Sequence, residues 1–270
     1  MCSLFVNGLV GCSSMLPFLL PQLLPQSQLL PQSQLLPQTH PQQFYAVSLG
    51  SCGLQMFLVY TYCSVEFFNL AAMAYDRYMA ICFPLNYAQK LRPGVVALVL
   101  GLVWSGGVAL GAFVALLVKW VRFCETRVQK IYCNYYDLSG LVCAEDAMIQ
   151  SYVKIFELMY MTTVLLVLLV FIVFTYVRIL VVCFRGSKQK RQKALSTCAP
   201  HLASLTNYGL SIFLEETQSK FNVQSLSRGV QIFLSLYIMT GPLLLNSLLY
   251  GLNMSKLRNV CKGLLWRRKV

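Results

Sequence analysis

Charge is what this sequence has least of. Asp, Glu, Lys and Arg make up 11% of its 270 residues, against roughly 25% in soluble domains. None occurs before Glu66. Acid is scarcer still: nine Asp and Glu stand against 22 Lys and Arg, a net charge of +13. In a soluble protein that surplus would point to nucleic acid. Here the basic residues fall in short segments between apolar runs, which reads instead as orientation in a membrane and attraction to anionic lipid. No nucleic-acid partner is expected. Other absences exclude chemistry. Eleven scattered cysteines with no Cys-x-x-Cys pair, and only two histidines, leave no ligand set for a metal. There is no nucleophile elbow and no phosphate-binding glycine loop, so neither an enzyme nor a cofactor is expected. Inverted repeats and multiple intramembrane charges, the marks of a transporter, are also missing.

What is present in excess is apolar surface, 57% of residues. Five runs are long enough to cross a bilayer, which takes about 20 residues. They cover roughly 50–81, 95–118, 155–177, 194–214 and 229–254. Backbone groups in lipid must be satisfied internally, so all five are expected as helices, and the fold class is an all-α transmembrane bundle over residues 44–255. Lys90 and Arg92 follow the first run. Arg178, Arg185, Lys188, Lys190, Arg191 and Lys193 follow the third, and the 256–270 tail is basic throughout. None of these segments has an acidic residue, whereas Glu125, Asp137, Glu145, Asp146, Glu215 and Glu216 lie in the other loops. The positive-inside rule places the tail and the Arg77 end in the cytoplasm.

The amino-terminal region is different. Residues 19–38 hold Leu-Leu-Pro-Gln four times. A proline every four to six residues predicts extended or disordered chain over 19–43, outside the membrane. Met1–Leu20 is apolar but lacks the basic start of a signal peptide.

Residues Met73-Ala74-Tyr75-Asp76-Arg77-Tyr78-Met79-Ala80-Ile81-Cys82-Phe83-Pro84-Leu85-Asn86-Tyr87 close the first run. An Asp-Arg pair at a membrane boundary is costly unless paired, and is usually functional. This string resembles the third-helix signature of olfactory receptors, a branch of the rhodopsin-like G-protein-coupled receptors. A second resemblance is Lys193-Ala194-Leu195-Ser196-Thr197-Cys198-Ala199-Pro200-His201-Leu202, similar to the family's sixth-helix entry. Thr175-Tyr176-Val177-Arg178-Ile179 resembles the fifth helix, and Asn246-Ser247-Leu248-Leu249-Tyr250 the seventh-helix Asn-Pro-x-x-Tyr motif. Asn7-Gly8-Leu9-Val10-Gly11 looks like a remnant of helix two, within residues 1–20. The likeness covers roughly 40–265 and implies a seven-helix receptor lacking helix one. It implies a multi-pass plasma-membrane protein with a cytoplasmic carboxyl terminus. Such a receptor couples a small odorant to a heterotrimeric G protein of the olfactory stimulatory type. The alternative is a truncated, signalling-silent product.

The resemblance also assigns residues. Asp76, Arg77 and Tyr78 form the G-protein contact, and Tyr176 and Tyr250 are hydroxyls that receive Arg77 once it leaves Asp76, with Asn246 in the same switch. The plainer reading of both tyrosines is an interfacial aromatic belt. Ser247 replaces the motif's proline, so the helix there is expected straighter, with Pro242 supplying a kink one turn earlier. His201 reads as a satisfied core group or a switch residue. Glu66, three turns outward of Arg77, is a candidate for ion binding with Asn246, as in the family's sodium pocket. The helix-two carboxylate is absent, and Asn7 is the nearest substitute. Alone and buried, Glu66 would instead be protonated. The ligand pocket is expected at Tyr60, Cys63, Tyr208, Ser211 and Met239, each equally readable as packing. Val59 stands where amine receptors have aspartate, which disfavours a cationic amine. Cys52, Cys124, Cys133 and Cys143 admit three pairings; the resemblance implies Cys52–Cys133 and Cys124–Cys143. Cys63, Cys82, Cys183 and Cys198 are expected as thiols. Cys261 is a weak palmitoylation candidate, and the sequon at Asn253 lies on the wrong side for glycosylation.

Overall fold

A computed structural model describes residues 2–23, 49–124, 133, 142–143, 147–185, 188–220 and 228–253. Seven helices cover these residues: α1 (Cys2–Leu23), α2 (Leu49–Cys82), α3 (Pro84–Lys90), α4 (Pro93–Trp120), α5 (Ala147–Arg185), α6 (Lys188–Lys220) and α7 (Arg228–Asn253). Among the described residues the only β pairing is one isolated antiparallel bridge, Phe123 with Val142. The chain is an all-α bundle, and the described part of each of the five apolar runs falls within a helix. Taken singly, Gly50–Cys82 and Pro93–Leu117 are long and apolar enough to cross a membrane among the described residues, with mean hydropathy 1.3 and 2.1.

Prolines set two of the helix starts. The residue before a proline avoids the α region, and Phe83 and Arg92 both do so, at φ −135°, ψ 58° and φ −64°, ψ 153°. Pro84 and Pro93 then occupy the first helical turn, where no amide hydrogen is needed. The short α3 is thereby folded off the end of α2 and was not anticipated from the apolar pattern. Proline behaves differently in α1. The helix runs through Pro17 and past Pro21 to Leu23, so it takes in the first repeat unit, residues 19–22, and the first leucine of the second, where extended chain was expected. Helices in apolar surroundings tolerate proline when neighbouring groups satisfy the freed carbonyls. The repeat beyond Leu23, the basic tail and Cys261 lie outside the described residues.

Helix α2 is the axis of the bundle. It packs against α1, α3, α4, α5 and α6, while α1 and α6 also pack on α7. Its buried residues, among them Gln55, Met56, Tyr62, Val65, Glu66, Asn69, Leu70 and Ala74, go all round the helix, as expected of an element with neighbours on every side. Helix α4 is the opposite case. It buries one stripe, Val103, Gly107, Gly111 and Val114, and leaves Leu98, Leu102, Val108 and Leu116 outward. Helix α5 likewise turns Ile172, Thr175, Tyr176, Ile179 and Cys183 inward and Leu166, Val167, Val170, Val173, Phe174 and Val177 outward. Those outward faces are apolar, as a helix face turned to lipid must be.

The α2–α4 contact is close because two glycines permit it. A Cβ on Gly107 would collide with Val65 Cγ2. One on Gly111 would collide with Thr61 Oγ1 and lie 2.6 Å from the Phe57 carbonyl oxygen. Spaced four apart, they make the small-residue seam by which helices approach in lipid, where dispersion rather than hydrophobic burial drives association. Gly111→Ala should therefore destabilise the detergent-solubilised protein by about 1–3 kcal/mol in thermal unfolding. Gly101→Ala, on the same helix but with nothing within 4 Å of an added Cβ, should be neutral or slightly stabilising.

Candidate functional site

Polar groups are buried in three layers along α2. The innermost begins at Asp76 and Arg77, two neighbours in sequence whose side chains meet at 2.8 Å, Nη2 to Oδ2, each about a third exposed. The Tyr87 hydroxyl on α3 donates to the other carboxylate oxygen, Oδ1, at 2.7 Å. Asp76 is thus held by one cation and one phenol. That hydrogen bond, followed by partial desolvation, pushes the Tyr87 hydroxyl above its ordinary pKa. Tyr78 packs edge-on to Phe83, ring centroids 5.6 Å apart, and joins the apolar cluster of Ala71, Ala74, Ile172, Tyr176, Ile179, Cys183 and Cys198 beneath the pair.

Tyr176 and His201 belong to this layer but not to the Arg77 contact. The His201 Nε2–H donates to the Leu70 carbonyl at 3.0 Å, because a carbonyl only accepts. Nδ1 is then left as the acceptor for the Tyr176 hydroxyl. The two rings lie stacked, 5.7 Å between centroids and 17° apart. One imidazole so ties α2, α5 and α6 together. The Tyr176 hydroxyl, expected to receive Arg77, is engaged by His201, and Arg77 is engaged by Asp76. Of Tyr250, Ser247 and Met239 only the backbone, on α7, lies within the described residues.

The middle layer is Glu66, 2% exposed. Its Oε2 accepts from Asn7 Nδ2 on α1 at 2.9 Å and its Oε1 from Asn246 Nδ2 on α7 at 2.6 Å. The same Asn7 amide also donates to the Tyr62 carbonyl at 3.0 Å. Glu66 is therefore not alone: two amides meet it where the sequence offered no second carboxylate. Asn7 Oδ1 and Asn246 Oδ1 have no partner among the described residues. Beside them Trp104 Nε1 donates to Ser3 Oγ at 3.0 Å, and Ser3 Oγ to Asn69 Oδ1 at 2.9 Å, which fastens α1 between α4 and α2.

The outer layer holds the remaining expected pocket residues. The Tyr208 hydroxyl on α6 donates to the Cys63 carbonyl on α2 at 2.6 Å, with Phe67 against its ring at 6.1 Å between centroids. Ser211 Oγ donates to the Asn207 carbonyl of its own helix at 3.0 Å. Both hydroxyls are thus bonded within the protein. Tyr60 lies half-buried against the cluster of Cys52, Met56, Val114 and Cys133. Disulfides join Cys52 to Cys133, with Cα atoms 5.5 Å apart, and Cys124 to Cys143, at 4.9 Å. The Cys133 amide donates to Gln55 Oε1 at 2.9 Å, which with the disulfide fixes Cys133 against the first turns of α2.

The sequence that folds this way has matches among known proteins. The pattern of the olfactory receptor family fits residues 42–268. The chain belongs to the olfactory receptor family. It is 33% identical to human olfactory receptor 10A6 over 228 residues, 83% of this chain and 69% of the relative. Human olfactory receptor 10A3 is 33% identical over 229 residues, with the same coverage. Mouse olfactory receptor 5P62 is 30% identical over 224 residues, 82% of this chain and 69% of the relative. The family match begins after α1, so the place of α1 beside α2 and α7 comes from the fold alone.

Sequence reasoning singled out Asp76, Arg77, Glu66, Asn246 and Asn7, and the receptor's fold brings the last three into one contact. It passed over Tyr87, quoted in the motif without a role, and Asn207. A tyrosine eleven residues beyond an aspartate and after a proline-started turn carries little signal by itself. In the middle layer, Glu66→Leu leaves the Asn246 amide without its acceptor, while Asn7 retains Tyr62. Stability should fall by about 1–3 kcal/mol. Asn246→Ala should cost less in that background than in the native protein. A double-mutant cycle on thermal unfolding measures both, and strict additivity would refute the contact.

Proposed function

We propose that this protein is an odorant receptor. A small, weakly polar molecule bound between the outer halves of α2, α5, α6 and α7 would shift the bundle between two states, and the cytoplasmic end would engage a heterotrimeric G protein of the olfactory stimulatory type. The observation that carries the reading is the double engagement at the inner layer. Arg77 is neutralised by Asp76, and Tyr176 is occupied by His201, so neither side chain is presented to the other. A state of this kind is closed at its cytoplasmic end. Opening requires Arg77 to leave Asp76 and Tyr176 to leave His201. Tyr87 lowers the cost of the first step, because Asp76 keeps a donor when the guanidinium departs. Ligands act by preferring one state to the other.

The basic segments after α2 and α5 and in the tail support a plasma-membrane orientation with Arg77 and the carboxyl terminus inside. The two disulfides suit the oxidising outer surface. The middle layer supports a monovalent cation site. A carboxylate and two amide oxygens that have no partner among the described residues, Asn7 Oδ1 and Asn246 Oδ1, would supply the hard oxygen donors such an ion takes once each amide turns its oxygen in place of its Nδ2 toward Glu66. Bound there, the ion would neutralise Glu66 and hold α1, α2 and α7 together.

Two measurements in cells expressing the receptor at verified surface levels test the reading. A broad odorant panel should raise cyclic AMP in a dose-dependent way, and Arg77→Ala should abolish that response. His201→Phe, which removes the acceptor of Tyr176 while keeping an aromatic ring, should raise ligand-independent cyclic AMP about fivefold, since one net hydrogen bond of about 1 kcal/mol is withdrawn from the closed state. A flat panel with confirmed surface staining, or unchanged basal signalling in His201→Phe, would count against it.

A further inference from the structure

The outer layer contains a hydrogen-bond donor with no role in the contacts described so far. The Tyr237 hydroxyl on α7 donates to Asn207 Oδ1 on α6 at 2.6 Å. Asn207 Nδ2 is buried and has no partner among the described residues. The orientation of the amide follows from counting. With Oδ1 toward Tyr237, the phenol hydrogen and the carbonyl oxygen satisfy each other, and only the amide N–H remains. The reversed amide would leave both the phenol hydrogen and Oδ1 unmatched, so the drawn orientation is favoured.

The pair is held in place from both helices. On α7, a Cβ at Gly241 would come within 3.0 Å of the Tyr237 ring. The missing side chain one turn away is what lets the ring lie along its own helix and point its hydroxyl at α6. Phe233 stacks on the other side, centroids 6.4 Å apart. On α6, Ser211 caps the Asn207 carbonyl, and Tyr208, the next residue, is anchored to α2 through Cys63. Asn207 lies six residues outward of His201 and Tyr237 nine outward of Asn246, about 9 Å and 13 Å along their helices. The pair therefore belongs to the level of the expected ligand pocket. A buried amide hydrogen in a lipid-embedded bundle is costly without an acceptor.

Resting on the odorant-receptor reading, we infer that Asn207 is the polar anchor of the ligand site, with Tyr237 as its positioning residue. The ligand class is a small molecule with a hydrogen-bond-accepting oxygen on an apolar body: an aldehyde, ketone or ester. The Asn207 N–H donates to the carbonyl oxygen, and the apolar walls take the chain. Tyr208 and Ser211 do not compete for that oxygen, because their hydroxyl hydrogens are already given within the protein. A hydrocarbon of equal length leaves the amide unmatched, and a protonated amine offers another donor where a donor already stands.

The test uses the full chain in a cyclic-AMP assay normalised to surface staining. Octanal, 2-octanone and methyl heptanoate are compared with octane, 1-octene and octylamine. The native receptor should answer at least one carbonyl compound and none of the other three. Asn207→Leu should raise the EC50 of that compound about ten- to hundredfold. Tyr237→Phe should raise it by a smaller factor, and Thr206→Ala, an exposed neighbour bonded only to its own helix, should leave it unmoved. Hydrocarbon or amine potency equal to the carbonyl compounds would overturn the assignment, as would an EC50 unmoved in both pocket variants. Silence toward all six probes with Arg77-dependent basal cyclic AMP intact overturns the ligand class and leaves the receptor reading standing. Silence without any basal signal removes both.

Discussion

A carboxylate at the centre of a lipid-embedded bundle has to be met by donors, and the way Glu66 is met organises this molecule. Glu66 is buried. The available donors come from the two helices that flank α2 on that side, Asn7 of α1 and Asn246 of α7. Because hydrogen bonds are directional while apolar packing is not, this contact sets the rotation and depth of α1 and α7 against α2 in a way that leucine packing could not. The glycine seam does the same for α4 on the opposite side, by shape rather than polarity. Between them the two constraints fix the axis of the bundle.

Around that axis the polar layers form a graded series. The innermost groups are partly exposed and charged, the middle ones are fully buried with a single ionisable centre, and the outer ones are neutral amides and phenols. Each layer joins α2 to a different set of partners: α3, α5 and α6 at the Asp76–Arg77 end, α1 and α7 in the middle, and α6 toward the Cys52 end. Helix α6 takes part in two of these layers, through Tyr208 on the Cys63 carbonyl and through His201 on Leu70 and Tyr176.

Much of this was legible in the chain, for identifiable reasons. The helices and their number among the apolar runs follow from properties that add up locally, hydropathy and length. Asp76 and Arg77 are adjacent, so their pairing needs no fold. The hydroxyl of Tyr87 does need one. Nothing in a tyrosine eleven residues away says that a proline-started turn will fold it back onto Asp76. His201 was readable as a core group but not as the junction of three helices, since its two acceptor and donor partners lie 25 and 131 positions away in sequence. Proline misled at α1, where a rule framed for chains in water predicted extended chain from residue 19 and the helix instead runs on to Leu23.

The amino-acid sequence by itself determined that this is a membrane-spanning helical bundle, which end of α2 is basic, and to which family the chain belongs. Those are statements about single segments, and hydropathy, charge and motif are written residue by residue. The tertiary structure alone decided who meets whom across helices. Ser3 with Asn69, Tyr176 with His201 and Tyr237 with Asn207 are pairs whose members are far apart in the chain, and only the rotation of each helix about its axis brings them within 3 Å. That rotation is the sum of many small packing contacts, which no one segment encodes.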